Sequence, residues 1–152
     1  MTASAADLVI AFQPMVAANA RQPFAWQAVA TPRCGRSFAA AAAGLHPDQR
    51  PGFEAQRITL AIQAAIARGI GQTEARVAIP MGAAAGMADV VLTHLFRTAL
   101  AHGLAADRLV VEINADERGD LDCAAALAQA CVDRGLAIGL DNFAAGPVAL
   151  KL

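Results

Sequence analysis

The amino-acid sequence predicts an α/β fold in which a parallel sheet is covered by helices and entered through an antiparallel hairpin. Three observations carry that expectation. From Phe53 onward the chain repeats one unit: an amphipathic segment, a glycine, a short link and an apolar run. Those apolar runs are hydrophobic at nearly every position rather than at every second one, the pattern of strands buried on both faces. The first two strand-like segments are joined by a link too short for a crossover helix, so they pair antiparallel.

Leu8 to Ala17, "LVIAFQPMVA", is rich in branched and aromatic residues and reads as the first strand. "ANARQP" is the turn, and Phe24 to Thr31, "FAWQAVAT", is the second strand. "PRCGRS" reads as a loop, "FAAAAAG" as a short helix and "LHPDQRPG" as a second loop. Phe53 to Arg68 places Ile58, Ile62 and Ile66 on one helical stripe, and Gly69 stands where a glycine ends a helix. Arg76 to Met81 is a buried strand. Ala88 to His102 is a helix with Val91, Leu95, Phe96 and Ala99 on one face, closed by Gly103. Arg108 to Asn114 is the fourth strand. Leu121 to Arg134 is a helix with Asp120 as its N-cap and Gly135 beyond its end. Leu136 to Phe143 is the fifth strand.

The whole chain, 1–152, is expected to form one domain. With 57% hydrophobic and 16% charged residues it falls outside the disordered class. A net charge of −1 gives no basic bias towards DNA or RNA. Much of the apolar content is alanine, so the core buries little area per residue and a partner surface is expected to supplement it. The N-terminal stretch has no basic lead-in and no long apolar run, which points away from a signal peptide or membrane span and towards the cytoplasm. Cys34, Cys123 and Cys131 lack metal-binding spacing and read as reduced thiols. His46, His94 and His102 are scattered and read as ordinary surface or half-buried side chains. Met81 and Met87 read as core. "QRPGFEAQR" carries two arginines that read as a solvated loop, with phosphate contact as the alternative. "PMGAAAG" has the place of an anion cradle but no phosphate-binding lysine.

In parallel α/β sheets the chemistry gathers at the carboxyl ends of the strands. Glu112 and Asp141 are embedded in apolar runs on successive strands there. A carboxylate in such a place is costly unless it is paired or bound to a cation. Two of them form either a divalent-metal or acid/base site, or a pair of acids satisfied by backbone or arginine hydrogen bonds.

The order and wording of the strands resemble the EAL family, bacterial phosphodiesterases that hydrolyse cyclic di-GMP. "AFQPMV" is similar to that family's opening strand, and "WQAVAT" stands at the name-giving Glu-Ala-Leu segment. "RVAIPMG" resembles a strand that normally reads Leu-Ser-Val-Asn-Leu. "DRLVVEINADE" resembles the Glu-Ile-Thr-Glu strand, and "GLAIGLDNFAAG" the Asp-Asp-Phe-Gly-Thr-Gly segment. The resemblance implies a variant of the eight-stranded barrel, a fold that typically takes about 250 residues. Five strands are present, so the expectation is a truncated TIM-barrel-like EAL fold, whether as a natural truncation or as part of a longer protein.

The resemblance also implies a site of two divalent cations, magnesium or manganese, held by acids and one asparagine. Carried over, four of those positions are lost: Gln27, Pro80, Ala115 and Asn142 stand where the family has Glu, Asn, Glu and Asp. Glu112 and Asp141 are kept as vestigial metal-ligand positions. Gln13 matches a glutamine that contacts the nucleotide in the family, and Thr31 stands where a motif arginine is expected. Two anionic ligands are too few for two close divalent cations, so no bound metal or other cofactor is expected, with magnesium or manganese relevant only to residual activity. The expected function is a catalytically inactive EAL-like module that regulates through a protein partner or by homo-oligomerisation across open sheet edges. The alternatives are a receptor that binds cyclic di-GMP without cleaving it, and a residual phosphodiesterase completed by oligomerisation.

Overall fold

The computed structural model describes residues 8–82, 87–114 and 121–141. Its elements run β1 (Leu8–Val16), β2 (Pro23–Pro32), α1 (Phe38–Ala43), α2 (Arg50–Ala67), β3 (Arg76–Met81), α3 (Ala88–Ala101), β4 (Leu109–Asn114), α4 (Leu121–Asp133) and β5 (Ala137–Asp141). The five strands form one sheet in chain order; β1 and β2 pair antiparallel and every later pair is parallel. The hairpin and the repeated helix–strand units therefore stand as the sequence predicts.

Alternation along the strands divides the sheet into two faces. On one face Val77, Ile79 and Met81 of β3 and Leu109, Val111 and Ile113 of β4 are buried in a single apolar cluster with Ile58 and Ile62 of α2, Leu92 and Leu95 of α3, and Leu127 and Cys131 of α4. Each fully buried branched side chain contributes about 1.5–3 kcal/mol, so this layer carries most of the stability. The opposite face holds Ala25 and Gln27 of β2, Ala78 and Pro80, Val110 and Glu112, and Gly139, placed side by side by the strand register.

Each long connection turns on a left-handed glycine. Gly69, Gly103 and Gly135 have φ of 74°, 71° and 71°, a conformation that costs other residues about 1–2 kcal/mol. Arg68 ties α2 to the hairpin: its guanidinium donates to the Ile10 carbonyl at 3.1 Å and lies over the Phe12 ring. His94 links α2 to α3 through hydroxyls, 2.8 Å from Thr59 Oγ1 and 3.3 Å from Thr98 Oγ1, which is a packing role.

The second predicted loop is a correction. Pro47–Gln49 forms one turn of 3-10 helix, and α2 starts at Arg50, three residues before the expected Phe53. Pro51 lies in the first helical turn, where its missing N–H costs nothing. The two arginines of that stretch are not on a solvated loop either: Arg50 is half-buried, and Arg57 is buried at 6% exposure. The expected N-cap Asp120, the Gly-rich stretch after Gly82, and Ala115 and Asn142 lie outside the described residues.

Candidate functional site

The register of the sheet builds the site. Gln13 of β1 lies directly opposite Gln27 of β2, and Pro80 of β3 lies beside Glu112 of β4, which lies beside Gly139 of β5. Ala78, the residue of β3 level with Gln27, has only a methyl group. The Gln27 side chain therefore passes across β3 and donates from Nε2 to Glu112 Oε2 at 2.8 Å. Gly139 keeps Glu112 in place from the other side: a Cβ there would come within 3.3 Å of Glu112 Cγ. Asp141 stands at the end of β5, level with Asn114.

Glu112 is 4% exposed. Burial pushes its carboxyl above the ordinary value; the Gln27 hydrogen bond opposes that shift and the neighbouring Asp141 charge adds to it. The sequence-predicted residues Gln27, Pro80, Glu112 and Asp141 thus do come together on one face of the sheet. Gln13 is exposed at its rim. Among the described residues no cluster of three or more His, Cys, Asp or Glu side chains is placed to hold a metal ion.

A cleft of about 520 Å3 opens beside this row, lined by Gln27 and Pro80, by β2 from Ala28 to Thr31, and by α1 and α2. Two of its polar groups form a pair that the sequence reading did not anticipate. Glu54 and Arg57, one helical turn apart on α2, form a buried ion pair. Burial pushes the Glu54 carboxyl up, opposed by the Arg57 charge and hydrogen bond and by the Gly82 N–H. Arg57 also lies 4.1 Å over the Phe38 ring, which stacks on Phe53 at 4.6 Å. Its Nε–H has no acceptor among the described residues. The signal was present: Glu54 continues the buried stripe of Ile58 and Ile62 at a spacing of four, so the pair sits on the inward face of its helix.

No protein-family model matches the sequence, and no curated protein matches it. Solved structures do. A standalone EAL protein of Vibrio cholerae, in its cyclic di-GMP-bound form, superposes with a TM-score of 0.77 over 95% of this chain at 19% identity. BlrP1 of Klebsiella pneumoniae, in a calcium and cyclic di-GMP complex, gives 0.71 over 95% at 20% identity. The YkuI protein of Bacillus subtilis, which has an EAL domain and was solved with cyclic di-GMP and calcium, gives 0.65 over 91% at 16% identity. The chain spans 62%, 37% and 36% of those chains' own lengths. At these identities the likeness is one of fold: this chain carries an EAL-like, TIM-barrel-type architecture over part of the neighbours' length.

Proposed function

We propose that this chain is a signalling module of EAL type that has given up phosphodiester hydrolysis and regulates by binding a protein partner, in the cytoplasm. The fold of proteins solved with cyclic di-GMP supports the signalling setting. The observation that carries the loss of chemistry is the Gln27–Glu112 hydrogen bond.

In the family resembled, divalent cations polarise the phosphoryl group and supply the hydroxide that attacks it. The residues of this chain do not fit that pair of cations. A carboxylate oxygen that would face a metal is engaged by an amide N–H. Gln27 brings no charge, Pro80 brings no side-chain donor, and burial pushes the Glu112 carboxyl up from its ordinary value, which weakens it as an anionic ligand. The amide does for Glu112 what a cation would otherwise do: it compensates a carboxyl buried in an apolar strand. Partner binding is supported by the outer edges of β1 and β5, each of which pairs on one side only among the described residues.

The cleft favours a second reading, a receptor that binds cyclic di-GMP without cleaving it, with Gln13 and Gln27 at the ligand. Titration calorimetry with cyclic di-GMP, with and without magnesium and manganese, and chromatography for the linear product separate the readings. The expected result is neither turnover nor heat. Micromolar binding without metal establishes the receptor instead. Turnover that disappears in Glu112→Ala overturns the non-catalytic reading altogether.

A further inference from the structure

The sheet has an opening within it as well as edges around it. β2 pairs with β3 only from Ala25 to Gln27, whereas β3 pairs with β4 from Val77 to Met81. The ladder stops below Pro80, which has no N–H to contribute. Above that point β2 continues as a strand to Pro32, held by β1 alone. Among the described residues no other backbone hydrogen bond reaches Val29, Ala30 or Thr31. These consecutive residues all line the cleft. Alternation would bring only every second side chain there, so the cleft meets the edge of the strand, where the N–H and C=O groups of every second residue point, the others being bonded to β1.

Among the cleft's polar groups, Arg57 Nε–H is a buried donor with no acceptor among the described residues. Two carboxyl groups, Glu54 and Asp141, line the cleft with that one guanidinium, and Glu54 already pairs with it. This balance disfavours an anion and suits a neutral acceptor such as a carbonyl oxygen. Much of the remaining wall is apolar and small, with Ala30, Ala39, Ala42 and Pro80 among it, beside the uncharged polar side chains of Gln13, Gln27, Thr31 and Ser37. At about 3.3 Å per residue the open edge accommodates roughly three residues of a strand, and the 520 Å3 volume lies within the ~300–1,000 Å3 of ordinary ligand clefts.

We propose that the interval between the upper ends of β2 and β3 is a docking slot for an uncharged, extended peptide of a partner protein, which pairs as a short strand with Val29–Thr31 and sets a carbonyl oxygen on Arg57 Nε. This is strand addition at an interior edge. It rests on the protein-partner reading above and gives that partner a site and a chemistry.

The test uses the full chain and a phage-displayed library of random heptapeptides, with the selected peptide resynthesised. Binding of that peptide slows amide hydrogen exchange by tenfold or more at the slot-facing N–H groups within Val29–Thr31, those not bonded to β1, and a version N-methylated at alternate positions does not bind. Arg57→Lys keeps a charge beside Glu54 but removes the Nε donor, and weakens binding by about tenfold. Should that buried substitution disturb folding, Ala42→Phe, on the half-buried wall of the cleft, blocks binding by filling it. Selection of no peptide overturns the proposal. Protection at the outer edge of β1 or at β5 overturns the slot while leaving the protein-partner reading intact. Protection of Val29–Thr31 by cyclic di-GMP, with no peptide selected, overturns both.

Discussion

Glu112 is a carboxyl group on a central strand, 4% exposed, with one amide donor at 2.8 Å. Its folded-state pKa lies above the ordinary 4.5, so the folded form binds the proton more tightly than the unfolded chain does. The stability this group contributes is full below about pH 4.5 and is lost as the pH rises through the folded value. Glu112→Gln removes the titration and retains an acceptor for Gln27. The melting temperature of the variant relative to the native chain therefore climbs from pH 4.5 towards neutral pH; parallel profiles across that range would refute the assignment. A second residue is tested by alkylation. Burial pushes the Cys131 thiol up to about 11, whereas Cys34 is exposed. Iodoacetamide at pH 8 is expected to modify Cys34 and leave Cys131 intact until the chain is unfolded. At this scale the sequence was legible where chemistry broke the apolar pattern of a strand, as at Gln27, Glu112 and Asp141. The pair on α2 was missed: the sequence reading gives Glu54 no role and counts Arg57 as part of a solvated loop. A charged pair in an amphipathic helix reads as solvated unless its helical phase is compared with that of Ile58 and Ile62.

The elements obey simpler rules, and most of them were legible. β3 runs from Arg76 to Met81 as expected, because a run buried on both faces leaves no ambiguity about where it begins or ends. The helix ends were marked by Gly69, Gly103 and Gly135, since only glycine adopts a left-handed turn without strain. The start of α2 was misplaced because Pro51 and Gly52 look like loop residues. Proline is nevertheless acceptable in a first helical turn, and the apolar stripe was counted only from Phe53. Two glycines on either end of α2 make opposite predictions from this. At Gly69 an added Cβ meets no atom within 4 Å, yet φ is 74°, so Gly69→Ala costs about 1 kcal/mol through backbone strain alone. At Gly52, within the helix and with nothing within 4 Å, alanine gains about 0.4–1 kcal/mol by restricting the unfolded chain. Chemical denaturation should move the two midpoints in opposite directions; a shift of the same sign would mean the caps are not where the backbone places them.

The sheet order of the whole molecule followed from local rules: a short link forces a hairpin, and repeated helix–strand units force parallel neighbours. The interval between β2 and β3 did not follow, because pairing length depends on how two strands diverge in space, which no single segment encodes. The sheet also ends in two strands, β1 and β5, that pair on one side only among the described residues. Their exposed apolar side chains differ: Val9 and Val16 are 44% and 48% exposed on β1, and Leu140 is 36% exposed on β5. Unpaired N–H and C=O groups beside such side chains favour pairing with another chain, and natural edges are usually blunted by charge. β1 carries no charged residue from Leu8 to Val16, so it is the stronger candidate for self-association. Light scattering on a sizing column at tens of micromolar is expected to return more than the monomer mass. Val9→Lys places a charge on that edge and should shift the equilibrium towards monomer, with an unchanged circular dichroism spectrum. Leu140→Lys should have a smaller effect, because β5 already ends in Asp141. A native chain that stays monomeric at that concentration would remove the β1 edge from the partner surface and leave the slot between β2 and β3 to carry the interaction.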